Sequence, residues 1–144
     1  MRHFGLLIAP FLLMISGVCA AAENSFSLQV SSDLGPTFVV VLSPSGMLTV
    51  TRSGAGLIAP AAFHKQVTAT IQRQLISLAH QSTDFNFACG APVPDATNVT
   101  LDLRYLGKEI RRSVTLCSQW PKGEKTAKWL SATNRQLPPE IQVY

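Results

Sequence analysis

Val99, Leu101, Leu103 and Tyr105 alternate with Thr100, Asp102 and Arg104, and Ile110, Val114 and Leu116 keep the same parity a few positions on. A two-residue period sends successive side chains to opposite faces of a strand. Two such runs joined by a short turn make an antiparallel hairpin with one apolar face and one wet face. Gly107-Lys108 reads as the turn, with Gly first. In that register Tyr105 faces Ile110, Leu103 faces Arg112, Leu101 faces Val114 and Val99 faces Leu116. Seven of those eight residues are apolar, which supports the register. Arg112 is the exception, and an inward charge is one device by which an edge strand avoids pairing with other chains.

The same period occurs upstream. Phe26, Leu28 and Val30 alternate with Ser27, Gln29 and Ser31, and Asp33 to Pro36 ends that strand. Thr37 to Leu42 is a continuous β-branched and apolar run, the pattern of a central strand. Ser43-Pro44-Ser45-Gly46 fits a type I turn, and Met47 to Arg52 returns antiparallel. Phe63, Val67, Ile71, Leu75 and Leu78 then recur at steps of four, four, four and three, which predicts a helix over about 60–80 with Pro60 in its first turn. Residues 82–97 form a long connection rich in Pro, Asp, Asn and Thr. A last helix is expected from about Glu124 to Gln136, stopped by Pro138 and Pro139. The expected fold is α+β: an antiparallel sheet of about five strands in β-ββα-ββα order, with two helices packed on one side.

The chain has 144 residues and a formal charge of +4. Its apolar excess is concentrated at the start. Arg2 and His3 precede a nearly unbroken apolar run from Leu6 to Val18, followed by Val18-Cys19-Ala20, the pattern of a secretory signal peptide. Cleavage is expected after Ala20, with Ala22 as the alternative site. About 13 apolar residues are too few to span about 30 Å of hydrocarbon. Cys19 raises a lipoprotein signal as a rival, although Ser16-Gly17-Val18-Cys19 departs from the Leu-Ala-Gly-Cys pattern. Residues 1–20 are therefore expected to be the signal peptide and 21–144 a single domain, exported to a periplasm, with a eukaryotic secretory route as the alternative. That domain keeps two cysteines, Cys89 and Cys117, which an oxidising compartment favours as one disulfide. The chain-entropy value for such a loop is about 3.6 kcal/mol before strain. Cys117 falls opposite Asn98 on the polar side of the hairpin, so the loop carrying Cys89 is expected to cross that face.

Few residues suggest chemistry. Gly54-Ala55-Gly56-Leu57-Ile58-Ala59 fits a dinucleotide-binding pattern between an expected strand and an expected helix. The preceding strand belongs to an antiparallel hairpin and Pro60 removes an N–H donor, so a turn is the default reading and no cofactor is expected. His64 and His80, placed on one helix, stand about 24 Å apart along its axis, too far to share a metal. Asp95 and Asp102 could approach one another at the hairpin base, with no second acid or nucleophile placed beside them. Ser43, Ser45 and Ser53 lack a nucleophile-elbow sequence. Charge is uneven: Arg104, Lys108, Arg111, Arg112, Lys122, Lys125 and Lys128 face only Glu109 and Glu124 across Arg104–Lys128. A basic patch attracts acidic protein surfaces, anionic glycans or lipid head groups. Trp120 and Trp129 flank it, and Trp with Arg is a pairing that interfaces favour.

Gly46-Met47-Leu48-Thr49-Val50 before an amphipathic helix over 60–80, with a second hairpin over Val99–Cys117, is similar to a group of small secreted bacterial domains that includes the emfourin-type inhibitors of secreted metalloproteases. The resemblance implies a binding protein and carries over no individual residue. The expectation is a periplasmic, non-enzymatic protein that neutralises a partner, as an inhibitor or immunity protein of an envelope-directed hydrolase or toxin. The candidate contact residues are Arg104, Lys108, Arg111, Lys122, Lys125, Lys128 and Trp120. The alternative is an envelope accessory protein that binds anionic glycan or lipid through the basic patch. A nucleic-acid partner and a membrane-spanning role are not expected.

Overall fold

Phe26, Leu28 and Val30 point to one side of β1 (Ser25–Ser32) and are almost completely buried, while Ser27, Gln29 and Ser31 point to the other. That division holds across the whole sheet. A computed structural model describes residues 23–32, 35–54, 61–84, 97–116 and 123–141. These form one antiparallel sheet of six strands and two helices. β2 (Pro36–Leu42), β3 (Met47–Gly54) and β4 (Ala61–Gln66) run out from β1 as a meander. α1 (Ala69–Gln81) crosses back beneath the sheet, so β5 (Thr97–Tyr105) pairs with the free edge of β1 and β6 (Lys108–Leu116) closes that side. The strand order is β4-β3-β2-β1-β5-β6. α2 (Glu124–Asn134) packs beside α1, and a short 3-10 turn follows at Pro139–Ile141.

The core lies between the helices and the inner sheet face. Phe38, Val40 and Leu42 of β2, Leu48 and Val50 of β3, and Val99, Leu101 and Leu103 of β5 meet Leu75, Ile76 and Ala79 of α1. Trp129 of α2 is fully buried, its ring edge-on to Phe26 with centroids 5.2 Å apart. That geometry contributes about 1 kcal/mol beyond the buried area alone.

The α+β class, the first strand, the β2–β3 hairpin and its turn agree with the sequence reading. Gly46 donates its N–H to Ser43 O at 3.0 Å, closing the turn. Five expectations are corrected. There are six strands, not five, in the order ββββα-ββα. Residues 61–66 form β4, paired with β3 from Arg52↔Ala61 to Met47↔Gln66, where a helical turn was expected. A step of four suits a strand as well as a helix, so Phe63 and Val67 did not decide between them. The helix begins only after Thr68, whose Oγ1 accepts the N–H of Ile71 at 3.3 Å as an N-cap. Pro60 lies outside the described residues.

The second hairpin is also shifted. Its turn is Leu106-Gly107, both at positive φ (49° and 76°), which is the type I′ pattern. Tyr105 therefore faces Lys108, Leu103 faces Ile110, Leu101 faces Arg112 and Val99 faces Val114. The slip is two residues, so every side chain keeps its expected face. α2 ends at Asn134 rather than Gln136.

Arg112 turns inward, as expected, on an edge strand, but it also has a partner. Its Nη1 donates to Ala79 O (3.2 Å) and Ser82 O (2.9 Å), and its Nη2 donates to His80 O (3.3 Å). The last carbonyls of a helix have no intrahelical donor and carry the negative end of its dipole. One guanidinium on β6 therefore caps α1. Asp84 does the complementary work for α2, whose N-cap is Gly123 and has no side chain to offer. Asp84 Oδ1 accepts the N–H (3.1 Å) and hydroxyl (2.7 Å) of Thr126, and Oδ2 accepts the N–H of Lys125 (2.9 Å). Partial burial opposes the charge on Asp84, but these hydrogen bonds outweigh it and hold its carboxyl below the ordinary value.

Candidate functional site

Both described helices cover the inner face of the sheet, and among the described residues no helix lies on the other face. Register aligns one outward row across all six strands: Arg111, Asp102, Ser27, Val41, Thr49 and His64. A second row runs Ser113, Thr100, Gln29, Val39, Thr51 and Ala62. Short side chains line its middle (Ser27, Val39, Val41, Thr49, Thr51), and cross-strand hydrogen bonds tie the face together. Thr49 Oγ1 lies 3.2 Å from His64 Nδ1, Thr100 Oγ1 lies 3.1 Å from Ser113 Oγ, and Thr115 donates to Asn98 Oδ1 at 2.8 Å.

At the end of this face nearest the Ser43–Gly46 turn, a groove of about 590 Å³ opens beside Ser25, Ser27, Val41, Pro44, Arg104 and Arg111. Two ion pairs form its β5–β6 wall. Arg104 Nη2 reaches Glu109 Oε1 at 2.7 Å, and Arg111 Nε lies 3.5 Å from Asp102 Oδ1. All four side chains are about half exposed or more. Such pairs contribute little to stability, and a partner can re-pair them at small cost. The groove thus sets the apolar side chains of Val41 and Pro44 against a charged wall, a mixture that protein contact patches use.

The chemistry of the row is limited by strand spacing. Ser27 and Asp102 are neighbours, but His64 lies three strands from Ser27, about 14 Å away. A serine–imidazole contact is therefore excluded for this set. His64 and His80 do not share a helix, as the sequence suggested: His64 is on β4, and His80 is in the last turn of α1, its ring stacked on Tyr105 with centroids 4.4 Å apart. Gly54 ends β3, and the next described element is β4, so the Gly54–Ala59 pattern lacks the strand-to-helix setting that phosphate binding requires. Among the described residues no group of three or more His, Cys, Asp and Glu could hold a metal ion, and no helix is long and apolar enough to cross a membrane.

The structure divides the basic residues. Arg104 and Arg111 stand on the open face, and Lys108 follows the β5–β6 turn. Lys125 and Lys128 belong to α2, in the layer beneath the opposite face. Lys128 pairs with Glu124 at 2.5 Å, and its hydrogen bond and charge lower the Glu124 carboxyl. Lys122, Trp120, Cys89, Cys117 and Asp95 lie outside the described residues. Trp129 belongs to the core. Ser27, Val41 and Thr49, in the middle of the open face, were not singled out from sequence. Their outward parity was visible, but nothing marked them as more than the wet side of a strand. No protein-family model matches the chain, and no curated protein matches it.

Proposed function

We infer that the chain is an exported, non-catalytic binding protein of the periplasm. It neutralises a partner protein, as an inhibitor or immunity protein of an envelope-directed hydrolase or toxin. The observation that carries this reading is the open face: six strands hold one aligned outward row, and its groove couples Val41 and Pro44 to two exposed ion pairs. The face rests on a fully packed core, so little order has to be gained on binding. Its resemblance to emfourin-type inhibitors points the same way. The basic residues support the rival reading less well, because the described ones are spread over both sides of the sheet rather than gathered for a glycan or lipid surface. We expect the mature domain to recover one stoichiometric protein from envelope extracts, and Val41→Glu with Arg111→Glu to lose it. Recovery of the same protein by that double variant, or of none by the native chain, refutes the assignment.

A further inference from the structure

The β5–β6 tip goes against the chemistry of its own turn. With φ positive at both loop positions, Asn-Gly or Gly-Gly is the favoured pair. Here the first position is Leu106, at φ 49°. A left-handed leucine crowds its Cβ against the following carbonyl oxygen, so the residue is strained where it sits. It is also 64% exposed, against 37% for Met47, the next most exposed of the large apolar residues described. Neither property helps the fold.

The tip is nonetheless held in place. The Leu106 N–H donates to Asn24 Oδ1 at 2.9 Å, and the preceding Tyr105 ring stacks on His80. Gly107 stands clear of the body, since a Cβ added there would meet no atom within 4 Å, while Leu106 borders a groove towards α1 lined by Asn24, Arg73 and Ile76. Lys108 follows, exposed, and pairs with none of the described carboxylates. The result is a fixed apolar point with a cationic shoulder, next to the Arg104–Glu109 wall of the groove.

We propose that Leu106 is the anchor by which the chain docks on its protein partner, entering an apolar pocket whose rim presents a carboxylate to Lys108. This rests on the protein-binding reading above. A pocket uses what the tip offers, because a side chain already fixed in its presenting conformation loses little freedom on insertion. A lipid surface would gain little from one leucine, since even a whole myristoyl chain binds membranes only marginally.

The test places a photoreactive diazirine analogue of leucine at position 106 of the full chain and irradiates it in envelope extracts of the cells that make it. Parallel chains carry a diazirine side chain in place of Gln29 on the open face or Gln74 on α1. One protein adduct is expected from position 106 and none from position 74. Excess purified native chain should suppress that adduct. Excess Leu106→Asn should not, although its Tm should rise by about 4 °C because Asn tolerates the left-handed region. Lys108→Glu should compete less well than the native chain. An adduct from position 29 but not 106 leaves the protein-binding reading standing and overturns the anchor. No protein adduct from any position overturns both. A phospholipid adduct at 106, an equal adduct at 74, or full competition by Leu106→Asn also overturns the anchor.

Discussion

Asp84 and Gly123 together start α2, and their coupling can be measured. Asp84→Ala removes the only side-chain cap that the helix receives among the described residues, at a cost of about 1 kcal/mol. It also strands the hydroxyl of Thr126, which is fully buried and donates to Asp84, adding about 1–3 kcal/mol. The total is roughly 2–4 kcal/mol, a fall in Tm of roughly 8–16 °C for a domain of this size. Gly123→Ala should do similar damage for a different reason. Its backbone (φ −62°, ψ 128°) suits alanine, but the new Cβ would run into the Asp84 carboxylate. The two changes destroy one interaction, so the double variant should lose about as much as Asp84→Ala alone, well short of the sum. Urea denaturation of the four proteins tests this. The folded pKa of Asp84 lies below its ordinary 3.8, so its contribution is complete above that value and is lost as pH falls through the folded one. The gap between native and Asp84→Ala chains should thus be constant from neutral pH to about pH 5 and shrink below about pH 4. Additive losses, or a gap that widens in acid, would refute the capping account.

Three further outcomes can be checked on the same material. Arg112→Met should cost about 1–3 kcal/mol in urea denaturation, because the carbonyls of His80 and Ser82 lose the guanidinium and Ala79 O keeps only the N–H of Ser82; Arg112→Lys should restore less than half, since a single ammonium cannot fan across them. Trp129→Ala should cost about 3–5 kcal/mol, and Trp129→Phe much less, because the indole N–H has no acceptor to lose. Gly46→Ala should cost about 1–2 kcal/mol, since φ is 83° and the added Cβ would sit 3.3 Å from the carbonyl oxygen of Val67, which cannot swing aside.

The parts legible in the sequence were those with a local cause. Alternation exposed β1, β3, β5 and β6, and Pro44 with Gly46 fixed the first turn. β4 was missed because Phe63 and Val67 satisfy both periods, and the cue that separates them, Thr68 as an N-cap, was not read. Gly107 reads as a first turn residue, which sets the second hairpin two residues away from its observed register. A leucine in the left-handed slot before it is contrary to turn preference, so no local rule would choose it. The candidate site was harder to see. Charge directed attention to Lys125 and Lys128, yet these lie on the helical side. Ser27, Val41 and Thr49 come into one line only through the register of three strands. The roles of Arg112 and Asp84 depend on partners about 30 and 40 positions away in the chain, which no periodicity reports.

β1 occupies the middle of the sheet although it precedes every other element described, and its pairing with β5 joins Ser25 to Arg104, 79 positions later. A ribosome adding about 5–20 residues per second needs several seconds to supply that missing neighbour. Throughout that interval the nascent β1–β2–β3–β4 meander carries a bare hydrogen-bonding margin at its future centre, flanked by Phe26, Leu28 and Val30. That margin is an adhesive seam for any similar strand nearby, so yield on overproduction should depend on holdase capacity more steeply than equilibrium stability alone would suggest.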